Sequence, residues 1–222
     1  MAQLTALSFS NAFNPYCDRC EQHDQPDAPE RRTKALSKIL TAATQCEIDA
    51  LWIGRDLGHR GGRRTGLALT DDVHIHSHAR RWNVVVDRPT RGQPVAERTA
   101  AVIWSALREI DAHVFLWNVF PLHPHEPGLP FTNRPHTRIE RNLGEEILSE
   151  LVLLLTPKCL VAVGNDARKS LERIAPHLPL VQVRHPSYGG QTQFLRQVGS
   201  LYLRKRHQKK KLPAKSKSVL VS

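Results

Sequence analysis

The sequence is short of the features that mark several broad protein classes. Its four cysteines, Cys17, Cys20, Cys46 and Cys159, are too few in 222 residues for a disulfide framework. No stretch approaches the roughly 18 unbroken apolar residues of a membrane-spanning helix. The opening "MAQLTALSFSNAF" has neither a basic start nor a long apolar run, so no secretory leader is expected. No internal repeat is evident. These absences predict a soluble, cytoplasmic protein with no membrane partner, built as one α/β domain with its own core.

Acidic side chains are also missing from the end of the chain. After Glu172 there is no Asp or Glu, while residues 173–222 carry eleven Lys and Arg. The first 172 residues balance 21 basic against 21 acidic side chains, so the whole net charge of +11 lies in the last 50. Eight of those eleven fall in "RKRHQKKKLPAKSK", Arg204 to Lys217. Such a run has little to bury and is expected to be a disordered tail, either solubilising or held to nucleic acid by phosphate attraction. Cys17 and Cys20 form a CxxC, half of a metal site whose other half is missing, and a local turn or thiol pair is the favoured reading.

Apolar periodicity divides the rest. Residues 1–30 are rich in Pro, Asp and Asn and read as an irregular N-terminal segment, followed by a domain over 31–203 and the tail over 204–222. Helices are expected near 30–45, 96–111, 138–155, 166–174 and 193–202, and short buried strands at 50–54, 113–120, 159–164 and 180–186. Alternation of such strands with helices predicts a three-layer α/β/α sandwich around a four-stranded parallel sheet. Ligands bind beyond the carboxyl ends of such strands. The residues expected there are Gly54-Arg55-Asp56, Asn118, Gly164-Asn165 and His185-Pro186-Ser187. Core packing does not require an acid, an amide, an imidazole and a hydroxyl on one edge.

"GRDLGH" (54–59), "LWN" (116–118) and "RHPS" (184–187), in this order at successive strand ends, resemble the uracil-DNA glycosylase superfamily. "TGLAL" resembles the segment completing the base pocket, "TNRPHTRIE" an Asn-Arg and Thr-x-x-Glu pattern opening a helix, and "HPSYGG" a minor-groove loop. The resemblance covers about residues 35–200 and implies metal-free hydrolysis of the N-glycosidic bond of uracil in DNA by a monomer that needs no cofactor. It implies a DNA repair enzyme associated with the nucleoid, whose partner is uracil-containing DNA, single- or double-stranded. It implies catalytic roles for Asp56, beside the sugar and water, and His185, at uracil O2. It places Gly54, Arg55, Leu57, Gly58, Leu69 and Asn118 around the base, and His59, Arg63, Arg64, Ser187, Tyr188, Gly189 and Gly190 against DNA.

Three positions depart from the family pattern. Leu57 replaces a proline, Gly58 a bulky tyrosine that excludes the thymine methyl, and Leu69 the aromatic on which uracil stacks. Trp82 and Phe120 are the candidate substitutes for that ring. Only Cys159 lies between Asp56 and His185, so no iron–sulfur cluster is expected. Two other readings stay open. One is a DNA-binding member that releases no base. The other is a metal-dependent hydrolase using His74, His76 and His78, with His123 and His125; a solvated histidine-rich loop is the favoured account of that stretch.

Overall fold

A computed structural model describes the backbone of residues 1–209 and the side chains of residues 1–202. Eight helices and six strands follow one another among the described residues. They are α1 (Ala2–Ala6), β1 (Ala12–Phe13), α2 (Ala28–Ala43), β2 (Ala50–Asp56), α3 (Gly62–Thr65), α4 (Ile75–Arg81) and α5 (Arg98–Leu107). Then come β3 (Val114–Phe120), β4 (His123–Pro124), α6 (Arg138–Leu155), β5 (Leu160–Val163), α7 (Asn165–Ile174), β6 (Leu180–Val183) and α8 (Gln191–Lys209).

The expected sheet is present. Its order is β3-β2-β5-β6 and every pair is parallel. β1 and β4 form a separate two-stranded antiparallel pair. Strands β2, β3 and β5 are apolar almost without interruption because both faces are covered. Alternation along β2 divides the core. Leu51 and Ile53 join one cluster with Leu36 and Ile39 of α2, Leu148 and Val152 of α6, and Leu171 of α7. Ala50 and Trp52 face the other, with Ile103 and Trp104 of α5 and Phe194 and Val198 of α8. Each fully buried side chain of this size contributes about 1.5–3 kcal/mol. Trp52 also donates its indole N–H to the Tyr202 hydroxyl at 2.9 Å, which latches α8 onto the sheet.

Helix α6 starts where its sequence says it should. The Thr137 hydroxyl accepts from the Glu140 N–H while the Glu140 carboxylate accepts from the Thr137 N–H, a reciprocal capping box. Arg134 adds a bidentate pair to the buried Glu140 carboxylate, at 2.6 and 2.8 Å. The long Pro-rich loop is thereby tied to the helix it precedes.

Two regions differ from expectation. The first 27 residues are not wholly irregular: they carry α1 and β1 and are bound to the domain. Arg32 is fully buried against Asp24, and the Tyr16 hydroxyl donates to the Gly66 carbonyl at 2.9 Å. The histidine-rich stretch is neither a strand nor a solvated loop but helix α4 and its cap. Helical spacing buries His74 and His78 together and leaves His76 exposed. The Asp71 carboxylate and the Thr70 hydroxyl supply their polar partners. Among the described residues no group of three or more His, Cys, Asp or Glu is placed to hold a metal ion. No helix among them is long and apolar enough to cross a membrane. Helix α8 continues through Lys209, so the first part of the expected tail is helical; residues 210–222 lie outside the described residues.

Candidate functional site

The carboxyl ends of the four parallel strands bring most of the expected residues to one edge. The register pairs Gly54 with Asn118 and Asp56 with Phe120. Asn118 lies inside β3, within the strand expected over 113–120. This depth matters. Asn118 is 1 % exposed, and neither its Oδ1 nor its Nδ2 has a hydrogen-bond partner among the described residues. A buried amide left unpaired costs about 1–3 kcal/mol per group, so both atoms are open to a partner, a water or a ligand.

Gly54 makes room for that amide. A β-carbon there would lie 2.4 Å from Asn118 Oδ1 and 3.1 Å from Leu69 Cδ2. Leu69 and Asn118, both expected around a base, therefore converge on Gly54. Leu69 is buried and left-handed, with φ +52°. It brings an aliphatic wall where an aromatic one was the family expectation. Neither substitute ring stacks there. Trp82 packs into the first core against Phe115, and Phe120 is fully buried with its edge toward His136 and Phe9.

Asp56 ends β2 with its side chain 7 % exposed. Oδ2 accepts from Arg55 Nε at 2.6 Å, and Oδ1 accepts from His136 Nδ1. Both oxygens are thus fixed in direction. Arg55 also reaches Asp166, in the first turn of α7, at 3.3 Å. Burial opposes the Arg55 charge, yet Asp56 and Asp166 together hold its pKa above the ordinary value.

His185 follows β6. The Ser187 backbone N–H points at its Nδ1 from 3.2 Å, and the Ser187 hydroxyl lies 2.7 Å from the same atom. A backbone N–H can only donate, so Nδ1 is the acceptor and the ring proton sits on Nε2. Burial pushes the His185 pKa down to about 4, helped by Arg55 and Arg184 and opposed by Asp166. The imidazole is neutral at pH 7. Tyr188 and Gly189 take left-handed turns, φ +49° and +76°, and Tyr188 projects into solvent at 94 % exposure. Gly190 closes under them: a β-carbon there would lie 2.1 Å from the His185 carbonyl.

The glycine-rich loop is more enclosed than its charge implies. Arg63 and Arg64 were expected at DNA phosphates, but they are 5 % and 6 % exposed. Arg64 is bound to the buried Asp72 at 2.7 Å, and the Arg63 guanidinium lies 3.8 Å from the Phe13 ring centroid and 5.0 Å from that of Phe131. Both serve the packing of the loop rather than an open surface. Leu57 is also buried and donates its N–H to the Leu122 carbonyl at 3.2 Å. His59 is half-buried; its N–H donates to Asn133 Oδ1 at 2.9 Å. Burial and the neighbouring arginines, Arg60, Arg63 and Arg64, lower its pKa, and the Asn133 side chain opposes them.

Two site residues went unassigned in the sequence. His136 lies inside the quoted "TNRPHTRIE", but only the helix-opening pattern around it carried a signal. Glu97 had none. Its carboxylate lies over Gly58 and Gly61, where β-carbons would fall 2.4 and 2.0 Å from its oxygens. The space beside Gly58 is therefore occupied from another part of the chain. Burial, with the Asp71 charge adding to it, pushes the Glu97 pKa up to about 7. The CxxC holds free thiols, Cys17 exposed and Cys20 half-buried.

Three buried histidines set an acid limit on the fold. Desolvation lowers the pKa of His78 and His123 to about 3 and that of His185 to about 4. Unfolding restores values near 6.5, so the unfolded chain binds more protons below that pH. The contribution of these histidines is expected to be fully present above about pH 6.5 and to fall progressively toward pH 4, partly offset by Glu97, whose pKa of about 7 favours the fold as pH drops. Melting temperatures measured across that range check this; a flat profile would contradict it.

A family model described as the uracil DNA glycosylase superfamily matches residues 44–210. Among solved structures, the chain is similar to a mimivirus uracil-DNA glycosylase at 15% identity and a TM-score of 0.40, covering 76% of this chain and 59% of that one. It is similar also to a mimivirus UNG variant solved in complex with UGI, at 14% identity and a TM-score of 0.40, covering 76% and 60%. The chain thus spans about three fifths of the length of those two proteins. Among curated proteins none matches the chain.

Proposed function

The chain belongs to the uracil DNA glycosylase superfamily, and on that footing we propose that it hydrolyses the N-glycosidic bond of uracil in DNA, leaving an abasic site. The observation that carries this reading is the Asn118 amide, buried without a partner in front of a glycine. An everted pyrimidine supplies what that amide lacks. Its N3–H donates to Oδ1 and its O4 accepts from Nδ2; cytosine, with an acceptor at N3 and a donor at C4, presents the reverse pattern and pairs only with the amide turned over.

The chemistry follows from the two groups on either side. Cleavage breaks the bond between N1 and C1′. The electron pair leaves with the base, giving a uracil anion and an oxocarbenium-like sugar; water captures C1′, and the proton it releases balances the charge of the departing uracil anion. The Asp56 carboxylate stabilises the cationic sugar and orients that water, with His136 and Arg55 fixing its two oxygens. The neutral His185 directs Nε2–H at the base O2, where negative charge develops. A donor that starts neutral gains strength as the anion forms and carries no cost of deprotonation. Ser187 and Gly190 shape the loop that brings His185 there, and Tyr188 stands clear of the surface to meet the duplex.

The test is an oligonucleotide with a single uracil, incubated with the protein and then treated with alkali. Strand breakage at the uracil is expected. Retention of the DNA without breakage would instead identify a binding protein on the same fold, a reading that the aliphatic Leu57 and Leu69 favour.

Part of the DNA affinity is assigned to the basic C-terminus. Deleting residues 210–222 removes Lys210, Lys211, Lys215 and Lys217. Affinity should weaken and the log–log salt slope should flatten by up to about 3–4, since each phosphate no longer neutralised takes close to one unit from it. Single-turnover rates at saturating protein should not change. Fluorescence anisotropy at several salt concentrations checks this, and an unaltered slope would make the segment a bystander.

A further inference from the structure

Leu69 holds a backbone conformation that side chains with a β-carbon adopt rarely, at a cost of about 1–2 kcal/mol. Buried polar contacts hold it there. Its carbonyl accepts from the Trp104 indole N–H at 3.2 Å. The Trp104 ring lies parallel to His74, 10° and 6.0 Å apart, and 5.2 Å from His78. His74 donates Nδ1–H and its backbone N–H to Asp71 Oδ1, at 2.6 and 2.9 Å. The other Asp71 oxygen accepts from the Glu97 backbone N–H at 2.6 Å. Thr65 and Thr70 close the turn, through bonds of 2.8 Å to the Thr70 carbonyl and 2.9 Å to the Ala68 carbonyl. Thr65, Thr70 and Asp71 are each 0 % exposed.

This network joins two walls from different segments. Leu69 stands against Gly54, which also faces the Asn118 amide oxygen, and Glu97 covers Gly58 and Gly61. Both hang on Asp71. We propose that Asp71, His74 and Trp104 form a positioning unit that sets the width of the slot in front of Asn118, and with it the size of base substituent admitted. The inference rests on reading that slot as the base site. Of the three, none is one of the groups placed around the reacting bond; they act through Leu69 and Glu97. Selectivity that the family resemblance assigns to one bulky residue would here come from a small aliphatic wall and a carboxylate clamp.

Trp104→Phe keeps an aromatic ring in the core and removes the N–H that holds Leu69, together with part of the buried indole. Two readouts apply. In the wild type, NMR should show a nuclear Overhauser effect between a Leu69 methyl and the Asn118 side-chain amide; it should weaken or vanish in the variant. On oligonucleotides, the ratio of kcat/KM for 5-bromouracil to that for uracil should rise about tenfold or more over wild type, the range of one methyl-sized group in a pocket. Parallel reduction on both substrates, with an unchanged ratio and an intact Overhauser effect, would overturn the proposal. Asp71→Asn, close to isosteric, carries the same two measurements should Trp104→Phe not fold. If wild-type protein releases neither base, the glycosylase reading fails, and the Overhauser effect still decides the positioning role.

Discussion

Asp56→Asn is expected to lower the single-turnover rate of uracil release by about 10²–10⁴-fold, the range of a positioned charge or base at a reacting centre. The affinity for uracil-containing DNA should stay within about threefold, a shift below 1 kcal/mol. The separation has a physical basis. The carboxylate meets the sugar only as positive charge appears there, so its loss raises the barrier more than the ground state. It also carries negative charge toward a polyanion, so removing it does not weaken encounter with DNA. The substitution leaves one hydrogen-bond donor, Arg55 or His136, facing an amide N–H₂ in place of an oxygen. Melting temperature should be recorded beside the rate. Equal activity in the variant would remove Asp56 from the mechanism.

The second large effect has opposite signs in stability and activity. Asn118→Leu replaces an unpartnered buried amide by an apolar side chain of similar size. Removing both orphaned atoms should stabilise the free protein by about 1–3 kcal/mol. In a domain of this length that raises the melting temperature by roughly 2–4 °C per kcal/mol. Activity should fall by about 10³-fold or more, because the hydrogen bonds to the base are lost while its edge is still desolvated. A merely structural asparagine predicts the reverse, lower stability and largely retained turnover. Calorimetry and single-turnover kinetics on one preparation separate the two.

Much of the scaffold was legible because its signals are local. The apolar runs around Trp52 and Phe115 gave strands, and Thr137 with Glu140 gave the start of α6 to the residue. The strand-end acid and the His-Pro-Ser segment were legible too, since parallel sheets put function at that edge. What escaped depends on distant segments meeting. "HIHSHARRW" alternates as a strand would, yet Asp71, Thr70 and Trp104 draw it into a helix with two histidines inside. Arg63 and Arg64 looked like phosphate contacts because charge alone does not reveal Asp72 or two phenylalanine rings behind the loop. Glu97 lies 39 residues beyond Gly58, in a stretch without periodicity, and only the folded chain shows that one covers the other.

The two groups proposed to flank the reacting bond are anchored with unequal firmness. β2, which ends in Asp56, is paired on both sides, whereas β6, which leads to His185, is an outer strand with three of its four residues not fully buried. Outer strands open at lower free energy than inner ones. Gentle heating should therefore silence turnover reversibly while most of the secondary structure persists, with the imidazole detaching first. Tighter attachment of that margin would extend the working temperature without touching a group that meets the nucleotide.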